Sequence, residues 1–112
     1  MKYKAYLVDE IDGVFEGSVQ ELELPVLENG MVTIKVHFSS LNYKDALAST
    51  GVKGVVREYP FVPGIDVAGE VIESNDDKFN VGDLVIASGY KIGMTFYGGF
   101  GEMVQLPHEF IV

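Results

Sequence analysis

Apolar residues recur in short runs along this chain, and glycine-rich or polar stretches punctuate them at even intervals. The clearest run is Val32 to Phe38, where Val32, Ile34, Val36 and Phe38 alternate with Thr33, Lys35 and His37. A period of two predicts a strand with the first set buried and the second in water. Lys4 to Val8 reads as an earlier strand closed by the turn signal Asp12-Gly13, and Val19 to Leu24 as a second, ended by Pro25. Asn29-Gly30 supplies the turn before the Val32 strand.

Beyond Ser39-Ser40 the alternation breaks. Asn42 to Ser49 suits a short helix, with Ser40 or Asn42 as its cap and Gly51 to stop it. Pro60 and Pro63 frame an ordered loop, and Val67 to Ile72 is the next strand, with Gly69 inside it marking a bulge or a close backbone approach. After a polar turn at Asn75-Asp76-Asp77, Val81-Gly82-Asp83 leads into a strand from Leu84 to Ala87. Gly98-Gly99-Phe100-Gly101 then precedes a strand from Glu102 to Leu106, and a further strand begins at Phe110-Ile111-Val112, where the ending reads as cut. Short strands at this spacing predict a mainly β fold, a small barrel or sandwich with one or two short helices.

Composition narrows the function. Nearly half of the 112 residues, 47%, are apolar, enough for a core in one modest domain. There is no cysteine, which removes disulfides and thiolate metal sites and fits a cytoplasmic protein. Acidic residues outnumber basic ones 17 to 8, a net charge of −9 that repels phosphate backbones and anionic lipid. Nucleic acid and membrane are therefore poor partners. The basic start, Met1-Lys2-Tyr3-Lys4, runs into only a short apolar stretch, which makes neither a signal peptide nor a spanning helix.

Four segments, in order and spacing, resemble the catalytic domain of the medium-chain dehydrogenase/reductase superfamily. They are Ser39-Ser40-Leu41-Asn42-Tyr43-Lys44-Asp45, Pro63 to Val71, Val81-Gly82-Asp83-Leu84-Val85, and Gly98-Gly99-Phe100-Gly101-Glu102. The Asn-Tyr-Lys-Asp form of the first resembles the quinone-oxidoreductase branch and its acryloyl-CoA reductase-like group. The resemblance implies a GroES-like, partly open barrel over residues 1–112, followed in such enzymes by a Rossmann domain that binds NADP(H). This chain has no Gly-x-Gly-x-x-Gly and no βαβ pattern, so that cofactor domain is expected to lie outside it.

Departures from the superfamily matter too. Its zinc-dependent members carry a cysteine near the strand-to-helix junction and a histidine after the Pro-Gly glycine. Here those places hold Leu41-Asn42 and Ile65, so no zinc is expected.

By resemblance, the reaction moves a hydride from NADPH to the β-carbon of an enone, quinone or enoyl thioester, and negative charge grows on the carbonyl oxygen. Without a metal, hydrogen-bond donors must meet that charge. Asn42 and Tyr43 are the candidates, with Tyr43 also at the superfamily's cofactor-contacting position and Asp45 a second cofactor-side candidate. Each has a plainer role open to it. Tyr43 could pack its ring on the barrel, Asn42 could cap the helix, and Asp45 could face the helix dipole. Lys44 and His37 read as solvated surface, and Arg57 could meet an anionic thioester or simply be solvated. Tyr90, Met94, Phe96 and Tyr97 form an aromatic loop that either lines the substrate cleft or covers a barrel end.

A second class of function is a stand-alone GroES-like binding or oligomerisation module, for which Gly54-Val55-Val56 would be a faint mobile-loop tip. A sevenfold ring would mark that class. The enzyme reading instead expects a small-molecule substrate and an exposed face that meets the missing Rossmann domain, through which the isolated chain pairs as a dimer.

Overall fold

The computed structural model describes residues 1–39, 60–88, 92 and 97–112. The first two strands, β1 (Lys2–Ile11) and β2 (Val14–Glu23), form an antiparallel ribbon paired from Lys2↔Glu23 to Ile11↔Val14. Its two-residue loop places Asp12 at φ 52° and Gly13 at φ 80°. Two positive φ values in succession give the mirror-image turn whose twist matches that of the strands. Both strands are longer than the apolar pattern suggests. A tight turn propagates pairing from its first residue, so Glu16, Gly17 and Ser18 are carried into β2 without any apolar periodicity of their own.

The remaining strands are β3 (Met31–Phe38), β4 (Asp66–Ser74), β5 (Leu84–Ser88) and β6 (Met103–Pro107). They make one antiparallel sheet in the order β5-β4-β3-β6. The ribbon clips onto it through the bridges Ala5↔Gly101 and Val8↔Phe61. Past β6 the chain makes a 3₁₀ turn, His108–Phe110, and Ile111 bridges Ala87 on the outer edge of β5. The sheet thus curls toward closure without completing it, the partly open barrel expected. Phe110, expected in a strand, sits in that turn, and only the last two residues pair with β5. The expected helix at Asn42 to Ser49 lies outside the described residues.

The β3 alternation holds in part. Val32 and Ile34 are fully buried and Lys35 and His37 are exposed, but Thr33 is also fully buried and Phe38 is exposed. Register shifts against β4 between Thr33 and Ile34 and between Val36 and Phe38 break the strict period of two. Thr33 is satisfied inside, its hydroxyl donating to Glu73 Oε1 (3.4 Å) and accepting from Gln105 Nε2 (3.2 Å). Gly69 faces the second shift. A Cβ there would lie 2.1 Å from the Lys35 carbonyl oxygen, so this is the close approach that its place inside a strand suggested.

Among the described residues, two apolar clusters fill the interior. The larger joins Val32, Ile34, Val67, Val71, Val85, Val104 and Leu106 within the four-stranded sheet. The smaller joins Tyr3, Ala5, Leu7 and Val62 under the ribbon.

Candidate functional site

Three of the four family-like segments meet at one end of the sheet. Residues 62–64 run beside residues 98–100, with Gly98 N–H donating to the Val62 carbonyl (2.8 Å), Gly99 to Gly64 (2.9 Å) and Phe100 to Pro63 (3.0 Å). Gly64 sits at φ +111°, and a Cβ on it would lie 2.7 Å from the Gly99 nitrogen. Both backbone freedom and space therefore demand glycine here. A Cβ on Gly99 would likewise lie 2.6 Å from the Asp66 carbonyl oxygen and 2.8 Å from Ser39 Oγ.

Ser39, the residue that follows β3 and opens the Ser-Ser-Leu-Asn-Tyr-Lys-Asp segment, donates its hydroxyl to the Asp66 carbonyl at 2.7 Å. From the far side, Ser88 at the end of β5 donates to the Asp66 carboxylate. Asp66, first residue of β4, is thus gripped on its backbone by β3's exit and on its side chain by β5's exit. Around it lies a cleft of about 330 Å³, walled by Phe38, Val67 and Ile86 and rimmed by Ser39, Asp66 and Ser88. Apolar walls with a few convergent polar groups are what a small-molecule site requires.

The fourth segment stays apart. Gly82, at φ +98°, turns the chain between β4 and β5, with its N–H on the Val71 carbonyl (2.8 Å) and the Asp83 carbonyl accepting from Val71 N–H (2.9 Å). Asp83 Oδ2 accepts from Asn80 N–H at 2.8 Å. Its task is register.

Asn42, Tyr43 and Asp45 lie outside the described residues, as do Lys44, Arg57, Tyr90, Met94 and Phe96. Tyr97 is described. Its hydroxyl donates to the Pro60 carbonyl (3.2 Å), and its ring lines a separate cavity with Tyr3, Leu24 and Gln105. Burial pushes the Tyr97 phenol above its ordinary pKa, and the Asp9 carboxylate pushes the same way. His37 is on the solvent side, with Nε2 at 4.0 Å from Glu70 Oε1. Among the described residues no three His, Cys, Asp or Glu side chains group to hold a metal ion, and no helix is long and apolar enough to cross a membrane.

Sequence reasoning missed the side chains of Asp66 and Ser88. The pattern shows each only as a strand terminus; the Asp66↔Ser88 register that joins them exists only once β4 and β5 pair.

Known proteins resemble this chain over most of its length. The chain is 42% identical over 109 residues to the probable acrylyl-CoA reductase AcuI of Escherichia coli, covering 97% of this chain and 34% of that protein. It is 47% identical over 81 residues to the putative quinone oxidoreductase YhfP of Bacillus subtilis, covering 72% of this chain and 24% of the relative. The Salmonella enterica yhdH oxidoreductase, solved in complex with NADP, superposes with a TM-score of 0.90 at 42% identity, over 100% of this chain and 34% of that one. The chain thus spans about a third or less of the proteins it resembles. Residues 28–112 match the alcohol dehydrogenase GroES-like domain, and the chain belongs to that family of medium-chain oxidoreductases.

Proposed function

We propose that this chain is the substrate-side domain of a cytoplasmic, zinc-independent reductase that uses NADPH to reduce enones, quinones or enoyl thioesters, and that it is inactive alone. The observation that carries the reading is likeness along nearly the whole chain to a probable acrylyl-CoA reductase about three times as long. A Rossmann domain beyond this chain completes the enzyme. The NADP complex of the Salmonella relative supports the choice of cofactor. Zinc-independence is supported by the donor set: no cysteine anywhere, and Ile65 after Gly64.

The cleft beside Ser39 fits the task, with apolar walls for a ring and hydroxyl and carboxylate groups at its rim. Asn42 and Tyr43 follow Ser39 by three and four residues, so chain reach keeps their backbones within about 11 and 14 Å of it. Tyr43 and Asp45 would hold the cofactor on this side. NADPH, when bound, supplies the hydride taken by the substrate's β-carbon. The Asn42 amide and the Tyr43 phenol then donate hydrogen bonds to the carbonyl oxygen as charge grows there. Tyr43 is also the candidate donor of the proton that the α-carbon takes up, a role in which an ordinary phenol needs help from its surroundings.

A missing domain also accounts for apolar side chains in water near the cleft. Phe38 is 75% exposed, Leu84 78% and Ile86 61%, and Val112 lies beside them. Such a patch favours a cover, which in the isolated chain is a second copy.

The test is calorimetric titration of NADPH into this chain and into the protein extended through its second domain. No binding by the first and clear binding by the second is expected. Comparable binding by the short chain would mean that the cofactor site lies within it, and the two-domain reading would fall.

A further inference from the structure

A second cavity lies at the other end of β3, between the ribbon and β6. It holds about 250 Å³ and is lined by Tyr3, Leu24, Pro25, Met31, Tyr97 and Gln105, among others. Met31 and Ser39 are eight residues apart along a strand, about 26 Å at the usual rise, so this space is distinct from the cleft at Asp66. Of the residues weighed for the reductase, Tyr97 alone among the described ones lines it, and here it borders a space apart from that cleft.

Its polar groups are few and specifically placed. Gln105 Nε2 donates to the Pro25 carbonyl (2.8 Å) and to Thr33 Oγ1 (3.2 Å), which fixes the amide and leaves its oxygen to accept. Tyr97 donates to Pro60, which holds its ring in place. Tyr3 is the informative group. Its side chain is only 6% exposed, yet its hydroxyl makes no hydrogen bond among the described residues and is not sealed from solvent. A nearly buried phenol ordinarily finds a partner. Here that partner is solvent in the cavity it lines, which a bound ligand would displace.

We propose that this cavity binds a small neutral phenol, one ring with one hydroxyl, whose oxygen accepts from Tyr3 and whose proton goes to Gln105 Oε1. Size supports one ring: an apolar cavity of about 150 Å³ suffices for benzene, and drug-sized ligands need about 300 Å³ or more. Charge disfavours anions, because Glu28 is part of the lining and the chain carries a net −9. Burial raises the Tyr3 phenol above its ordinary pKa, with Tyr97 adding to the shift, so Tyr3 remains a neutral donor at physiological pH.

The experiment is ligand-observed fluorine NMR of 4-fluorophenol titrated into the intact protein, with fluorobenzene alongside. Saturable binding of the phenol is expected, with fluorobenzene weaker. Tyr3→Phe, which keeps the packed ring, should weaken the phenol about 2- to 10-fold, the value of one hydrogen bond, and leave fluorobenzene unchanged. Val26→Trp, at a position 92% exposed on the cavity's rim, should block both ligands without touching the core. Absence of saturable binding overturns the proposal. So does binding that neither variant alters, because the probe is then held elsewhere. Neither result bears on NADPH binding, so this proposal and the reductase reading fail separately.

Discussion

Gly64→Ala probes the contact that brings the family-like segments together, and two other glycines calibrate it. At Gly82, φ is +98° with nothing within 4 Å of an added Cβ, so Gly82→Ala meets only the torsional cost. That is about 1–3 kcal/mol for a non-glycine residue in a sparsely populated region. At Gly69 the backbone is ordinary but the Cβ would sit 2.1 Å from the Lys35 carbonyl oxygen, so Gly69→Ala meets only crowding. Overpacking typically costs about 1–3 kcal/mol, and a backbone atom yields less readily than a side chain. Gly64 combines φ +111° with contacts of 2.7 Å to Gly99 N and 2.8 Å to Phe100 N. Gly64→Ala should therefore cost about 2–6 kcal/mol, against a total stability of about 5–15 kcal/mol for a small domain. Thermal melts followed by circular dichroism should show a fall of roughly 10–20 °C for Gly64→Ala and distinctly less for Gly82→Ala. If Gly64→Ala cost no more than Gly82→Ala, the abutment of residues 62–64 on residues 98–100 would not be a tight contact, and the account of how the segments converge would be wrong.

Other expectations concern chemistry and association. In the full-length enzyme, Tyr43→Phe should lower kcat by about 10²-fold or more while the protein remains folded, as loss of a donor to developing charge requires; unchanged turnover would leave Tyr43 a packing residue. Burial raises the Tyr3 and Tyr97 phenols above 10.0 in the folded state. The unfolded chain therefore loses these protons first as pH rises, so the stability they contribute is whole below pH 10 and is lost as pH climbs through the folded values. Denaturation midpoints should fall across that range, and ultraviolet titration of the six tyrosines should show late-ionising phenols that Tyr3→Phe reduces in number. Ile86→Lys should abolish concentration-dependent association of the isolated chain in sedimentation velocity, because it puts a charge in the apolar patch; association that persists would place the contact elsewhere.

The strands were legible wherever burial alternates with a period of two, and their ends were not. β2 shows why: its side chains face water along nearly its whole length, so pairing through the Asp12-Gly13 turn, rather than apolar pattern, sets where it starts. Thr33 shows the opposite failure. A hydroxyl in a wet position of the pattern is buried, because Glu73 and Gln105 across two neighbouring strands satisfy it. Hydrogen-bond partners from separate strands leave no mark on local periodicity. Glycines were more readable, since Gly64 and Gly69 each occupy the place where a side chain cannot fit.

The candidate site was legible only as motifs, and the fold supplies the reason those motifs lie far apart in sequence. Ser39 directly follows β3, and Asp66 and Ser88 are termini of β4 and β5; these adjacent strands run antiparallel, so an exit, an entry and an exit fall at one end of the sheet. Residues 62–64 and 98–100 close that end from the side through backbone hydrogen bonds. Such an arrangement fixes the Asp66 carbonyl between Ser39 Oγ and Gly99, with no room for a side chain at residue 99. Ser39 is therefore a braced point beside the cleft. In the proposed reductase such an anchor would set the scaffold of the donor pair before the substrate arrives, so that little reorganisation is left for the reaction itself.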